Sequence, residues 1–193
     1  MGGLPIIIGI TGGSGAAIAK RCIELLTAHE RPVLVVCTPA GQRVWQHEVG
    51  TPLRQWLRTT PARQYPIGDV AAPIASGTYP TGGMAVVPCS MNTLAAIAHG
   101  LSTNLLERAA DVILKESRPL VLVPRETPLS VIHLTNLLTL ARLGVKIVPP
   151  MPPFYARPTS MDEVIEHIAA RVLVALGVTS ALPYDQQYGN GLH

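Results

Sequence analysis

Apolar residues in this chain gather into short unbroken runs, separated by stretches in which they recur every three or four positions. The runs at residues 5–10, 32–37, 84–87, 120–123 and 145–148 are rich in Ile and Val. Runs of that length and composition predict strands buried on both faces. Between the first two, Ile18, Cys22, Leu25 and Leu26 fall near one side of a helix over residues 16–29. The same spacing predicts helices over 41–48, 94–99, 105–116, 129–143 and 161–176. Pro88 and Pro124 close the third and fourth strands, Gly144 stops the helix before it, and Ser160 stands as an N-cap for the last helix. Strands alternating with helices imply βαβ units, hence an α/β fold with a mainly parallel sheet, covered on both faces and joined by right-handed crossovers.

Two stretches break the alternation. Residues 50–83 are rich in Pro, Gly, Ser and Thr and are expected to form a long, partly ordered excursion of the kind that often carries function. From about residue 178 the chain is polar and reads as a tail. With no internal repeat, residues 1–193 are expected to form one domain, long enough for a substantial core.

Composition narrows the class. A hydrophobic content of 48% with only 14% charged residues argues against disorder. So little charge also leads us to expect that part of the surface is hidden in a homo-oligomer. A net charge of +3 without a basic run gives no reason to expect nucleic acid. No apolar stretch approaches a membrane span, and the N-terminus lacks the basic-then-apolar pattern of a signal peptide, so the expected location is the cytoplasm. Cys22, Cys37 and Cys89 are widely spaced without a CxxC pair and read as reduced thiols. The histidines show no metal-ligand spacing, so no metal is expected.

In an open α/β sheet, ligands bind beyond the carboxyl ends of the strands, so the residues there are the candidates. The first strand runs into Thr11-Gly12-Gly13-Ser14-Gly15, the second into Thr38, the third into Cys89-Ser90-Met91-Asn92-Thr93, the fourth into Arg125-Glu126, and the fifth into a proline-rich turn bearing Tyr155. Glycines before a helix let backbone N–H groups approach an anion. The spacing is not the full dinucleotide fingerprint, and Thr38 stands where a ribose-binding acid would be. A hydroxyl there suits a phosphate or a flavin tail, which favours FMN over NAD. Ser90 and Asn92 could cap a helix or face a ligand, and Arg125 suits bidentate phosphate recognition. Arg108 and Lys115, seven apart and near one helix face, read by default as a solvated surface, as does Arg171.

The segments GITGGSGA, PCSMNTLAAIAHG, LLERAADVILKESRPLVLVPRETPLSVIHLTNL and PPMPPFYARP together resemble the flavin prenyltransferase family (UbiX-type), over about residues 6–177. The resemblance implies a flavodoxin-like, Rossmann-type three-layer fold and a dodecamer. It implies transfer of a dimethylallyl group from dimethylallyl monophosphate to N5 and C6 of reduced FMN, without a metal. The product would be prenylated FMN, the cofactor of UbiD-type decarboxylases. Carried over by motif, Gly12, Gly13, Ser14, Thr38, Ser90, Met91, Asn92, Thr93 and Arg125 would contact FMN. Lys115, Tyr155 and Arg171, with Arg108 close by, would bind the prenyl phosphate, some of them from neighbouring subunits. Ser14, Glu48 and Glu126 would serve in proton transfer or beside the prenyl group. Gly13 stands where the family more commonly has Ala, and Val70 where some members carry Trp, leaving Trp45, Trp56 or Tyr79 to supply aromatic surface. Two other readings are an FMN-dependent decarboxylase of the phosphopantothenoylcysteine type and a non-catalytic flavin-binding subunit. Against the first, PPMPPFYARP stands where that group carries a PxMNxxMW-type motif; against the second, the joint presence of Lys115, Glu126, Tyr155 and Arg171 argues for chemistry.

Overall fold

Successive Ile and Val side chains point to opposite faces of a six-stranded parallel sheet, and each face is sealed by helices. The structure, a computed structural model, describes residues 3–178; apart from Val178, the expected polar tail lies outside the described residues. The strands are β1 (Ile6–Ile10), β2 (Val33–Cys37), β3 (Arg63–Tyr65), β4 (Gly83–Cys89), β5 (Leu120–Pro124) and β6 (Lys146–Ile147). They lie in the order β3-β2-β1-β4-β5-β6, with every pairing parallel. The helices are α1 (Ala16–Ala28), α2 (Pro39–Val49), α3 (Leu53–Leu57), α4 (Met91–Ala98), α5 (Leu105–Lys115), α6 (Val131–Arg142) and α7 (Met161–Ala175).

Ile6, Ile8 and Ile10 of β1 face a core closed by α1 and α7, whereas Ile7 faces a second core closed by α4 and α5. This is the three-layer α/β arrangement that the alternation of runs implies. All five expected strands form, β6 as a shorter piece than the apolar run 145–148.

Residues 50–83 hold more regular structure than their composition suggests. They contain α3, β3 and a 3-10 turn at Pro73–Ala75. β3 reads Arg-Gln-Tyr, so no apolar run marks it; as an edge strand it is tied to β2 through Leu34–Val36 and buries only Tyr65. The rest of the excursion is strapped to α5 and the residues after it. Arg108 Nε donates to the Ala75 carbonyl at 3.1 Å, and Arg118 donates to the carbonyls of Gly77 and Tyr79 at 2.7 and 2.9 Å.

Candidate active site

Chain connections diverge at β1 and β4. From β1 the chain passes outward to β2, and from β4 it passes the other way to β5. The crevice at such a switch point is where open α/β sheets bind ligands. Thr11 ties its two walls together. Its Oγ1 donates to the Pro88 carbonyl at 2.8 Å and accepts from the Ser90 N–H at 2.7 Å, and it is buried. Thr11 stands among the strand-end residues by sequence, but its partners, 77 and 79 residues away, are visible only in the fold.

The glycine loop follows. Gly15 has φ 121°, a left-handed conformation in which a side chain would be strained. A Cβ on Gly12 would come within 2.8 Å of Ala40 Cβ, so this glycine lets α2 pack against the loop. Ser14 is exposed between them. The start of α1 is already neutralised by the protein itself. The Glu48 carboxylate accepts from the Gly15 N–H at 3.0 Å and from the Ala16 N–H at 2.7 Å. The open anion-favouring donors of the crevice are therefore at α2 and α4 rather than at α1.

At α2, Thr38 Oγ1 accepts from the Gly41 N–H at 3.0 Å and keeps its own proton to donate. At α4, Ser90 is the N-cap: Oγ accepts from the Thr93 N–H at 3.3 Å and donates to Thr93 Oγ1 at 3.1 Å. Both hydroxyls thus cap helices, the plainer of the two readings of the Ser90 segment. Thr93 is buried beneath Ser90, whereas the N–H groups of Met91 and Asn92, in the first turn, have no intrahelical acceptor. Arg125 and Glu126 are exposed just past β5. They do not pair with each other: Glu126 Oε1 accepts from the Thr127 N–H at 3.1 Å, and among the described residues no carboxylate meets Arg125. A free guanidinium, a hydroxyl donor and the open N–H groups of a helix start make a donor set that fits a phosphate joined to a hydrogen-bonding ring, as in FMN.

The other cationic candidates divide. α5 runs antiparallel to the strands: the Leu105 N–H donates to the Ile67 carbonyl just past β3, and the chain leaves Lys115 to enter β5 at its amino end. Lys115 is thus about 16 Å down the helix from the crevice end. There its Nζ pairs with Glu116 at 3.0 Å. Arg108 is turned to the excursion, with NH1 on Asp111 at 2.7 Å. Lys115 does not reach the crevice of its own chain, and Arg108 is taken up by Asp111 and the Ala75 carbonyl.

Tyr155 and Arg171 do come together, through a residue the sequence reading passed over. The ring of Tyr155 stands edge-on to His167, with centroids 6.1 Å apart at 76°, and His167 precedes Arg171 by one turn of α7. Burial, and then the Arg171 charge, lower the His167 pKa below its ordinary 6.5. A histidine four residues before a candidate arginine was the available clue. The thiols offer no nucleophile: burial pushes Cys37, at the end of β2, up to about 12. Among the described residues, no three His, Cys, Asp or Glu side chains are grouped to hold a metal, and no helix is long and apolar enough to cross a membrane.

A parallel sheet with this strand order and a phosphate-friendly switch point defines a nucleotide- or flavin-binding α/β protein. The chain belongs to the Flavoprotein family, matched over residues 1–173, and within it to the flavin prenyltransferases. It is 44% identical to flavin prenyltransferase UbiX of Synechocystis sp. over 90% of this chain and 91% of the relative. Among solved structures, it is similar to AnUbiX (PadA1) in complex with FMN and dimethylallyl pyrophosphate. The TM-score is 0.87 with 37% identity, covering 90% of this chain and 92% of the other. It is also similar to a dodecameric FMN-dependent Ubix-like decarboxylase from Escherichia coli O157:H7. Here the TM-score is 0.89 with 41% identity, covering 94% and 97%.

Proposed function

We propose that this chain transfers a dimethylallyl group from dimethylallyl monophosphate to N5 and C6 of reduced FMN, yielding prenylated FMN for a UbiD-type decarboxylase. The reading is carried by 44% identity to named flavin prenyltransferases over nine-tenths of the chain, supported by the donor set at the switch point. Bound reduced FMN supplies the electron-rich nitrogen and carbon that take up the prenyl unit. Thr38, the α4 start and Arg125 hold its phosphate and polar edge. Ser14, exposed on the loop that Glu48 clamps, stands beside N5 as a hydrogen-bonding and proton-relaying hydroxyl. Glu48 or Glu126 takes the proton lost on forming the second bond. Tyr155 and Arg171 hold the prenyl phosphate and stabilise the charge that gathers on it as the allylic C–O bond breaks. No metal takes part.

Arg108 and Lys115 act on the site of a neighbouring subunit. Assembly into a homo-oligomer, a dodecamer like the similar Escherichia coli protein, supplies them. α6 and the turn after β6 present the surface such an assembly covers: Val131 is 79% exposed, Ile132 72% and Phe154 81%. The protein works in the cytoplasm. The test is anaerobic incubation with reduced FMN and dimethylallyl monophosphate, followed by mass measurement of the flavin. A gain of one dimethylallyl unit is expected. No gain with either the monophosphate or the diphosphate donor overturns the reading, and carbon dioxide release from an acid substrate would favour a decarboxylase instead.

A further inference from the structure

A groove of about 1130 Å³ opens beside the strand-end crevice, between α2, α3 and β3. It starts at Pro39, the first residue of α2, and passes Gln46 and Gln64. Arg43, Arg54 and Arg58 line it, and no carboxylate does. The only acid of α2, Glu48, is spent on the α1 start.

These arginines differ from three others whose charge the protein itself answers. Arg21 is held by Glu24 and Glu166, Arg108 by Asp111 and a carbonyl, and Arg118 by three oxygens. Among the described residues, no carboxylate or carbonyl oxygen meets Arg43, Arg54 or Arg58, and all three are exposed. Arg54 lies on α3 and Arg58 is its C-cap, four residues on, so two like charges stand close together at this short helix. Three uncompensated guanidiniums converging on a concave, amide-lined groove are expensive to keep together unless an anion answers them.

We propose that this groove is a second ligand site, separate from the flavin crevice, that binds a diphosphate group. Guanidinium forks match phosphate oxygens two at a time, and three of them suit the charge of a diphosphate better than that of a single phosphate or a carboxylate. The glutamine amides supply neutral donors and acceptors along the rest of the groove. The diphosphate is either inorganic or the end of a nucleoside diphosphate. The site stands independently of the prenyl chemistry proposed above.

Its reporter is built in. Trp56 lies between Arg54 and Arg58 in the chain and tilts against Trp45, ring centroids 5.1 Å apart, and these are the only two tryptophans of the sequence. The full-length protein is titrated with inorganic diphosphate and, separately, with ADP, following tryptophan emission. A saturable change is expected, weakening steeply with added salt. R43Q/R54Q/R58Q should weaken it at least tenfold while the visible absorbance of bound flavin is retained. R54Q alone, the gentler change, should weaken it at least threefold. R125Q, in the flavin crevice, should leave it unchanged. ADP binding tighter than inorganic diphosphate identifies a nucleotide as the source, and equal affinity identifies free diphosphate. The proposal is overturned if no saturable change occurs, if the triple variant binds as the wild type does, or if R125Q abolishes binding.

Discussion

Replacing Glu48 separates two things this carboxylate can do. It closes the start of α1 by accepting from Gly15 and Ala16, both on Oε2, at 3.0 and 2.7 Å. It also lies next to Ser14 and is a candidate proton acceptor. Glu48→Ala removes both hydrogen bonds and the charge at the helix start. Because the contact is partly exposed, water re-solvates the freed N–H groups, and the loss is that of an N-cap, about 1–2 kcal/mol. For a chain of this length that lowers Tm by about 2–8 °C at fixed protein concentration. Glu48→Gln keeps an oxygen that can take the place of Oε2 and loses only the charge–dipole part, about 0.3–1 kcal/mol. The glutamine variant should therefore bind FMN within about threefold of wild type, because the glycine loop keeps its shape, whereas the alanine variant should bind it more weakly. Loss of a general base slows a step by about a hundredfold or more, so Glu48→Gln should slow dimethylallyl transfer that much while holding flavin. Thermal melts, flavin titration and a time course of flavin mass read the three effects separately. An alanine variant with unchanged Tm and unchanged flavin affinity refutes the clamp. A glutamine variant that transfers at the full rate refutes the proton role and leaves the clamp standing.

Thr11→Val strands the half-buried Ser90 N–H and should cost about 1–2 kcal/mol, read as a lower urea midpoint, with looser FMN binding because only the Thr11 N–H to Pro88 carbonyl bond then joins the crevice walls. Oligomers assembled from equal amounts of Ser14→Ala and Lys115→Ala subunits should recover transfer at about a quarter of the sites, whereas either variant alone stays inactive; no recovery in mixed oligomers would place Lys115 in its own chain's site. His167 has a lowered pKa in the fold, so the unfolded chain binds the proton first as pH falls. Its contribution is complete above about 6.5 and is lost as pH drops below it toward the folded pKa. His167→Gln should flatten that part of the loss, seen by comparing urea midpoints at about pH 5 and about pH 7.5; an unchanged difference between the two midpoints would refute it.

What the sequence discloses follows from what is local. The runs that became β1, β2, β4 and β5 are apolar because both faces of those strands are buried, so they announce themselves. β3 buries one residue of three at the sheet edge and carries no such mark, and the Pro, Gly and Thr around it hide it further. The strand-end candidates were legible for a topological reason: in a parallel sheet, whatever follows each strand arrives at the same edge. Which helix start stays open for an anion was not legible. The carboxylate that fills α1 comes from 33 residues away, and nothing in the glycine loop records it.

The basic residues of α5 make the same point more sharply. Seven residues apart, Arg108 and Lys115 lie near one face of one helix, so they read by default as a solvated surface; in the fold Lys115 is exposed, whereas Arg108 is half-buried and tied to Ala75 and Asp111. The helix delivers Lys115 to the far end of the sheet, about 16 Å from the crevice, far more than a lysine side chain spans. A site that needs both the crevice and Lys115 therefore cannot close within one subunit, whatever rotamer the side chain takes. The exposed Val131, Ile132 and Phe154 point the same way, since exposed apolar patches of this kind mark surfaces that meet another protein. Oligomerisation and catalysis are on this view one requirement. A substitution such as Ile132→Lys should lower the assembly state and prenyl transfer in parallel while each separated subunit keeps its fold. An assembly-deficient variant that still transferred the prenyl group would show that one chain carries a complete site, and would return Lys115 to the surface.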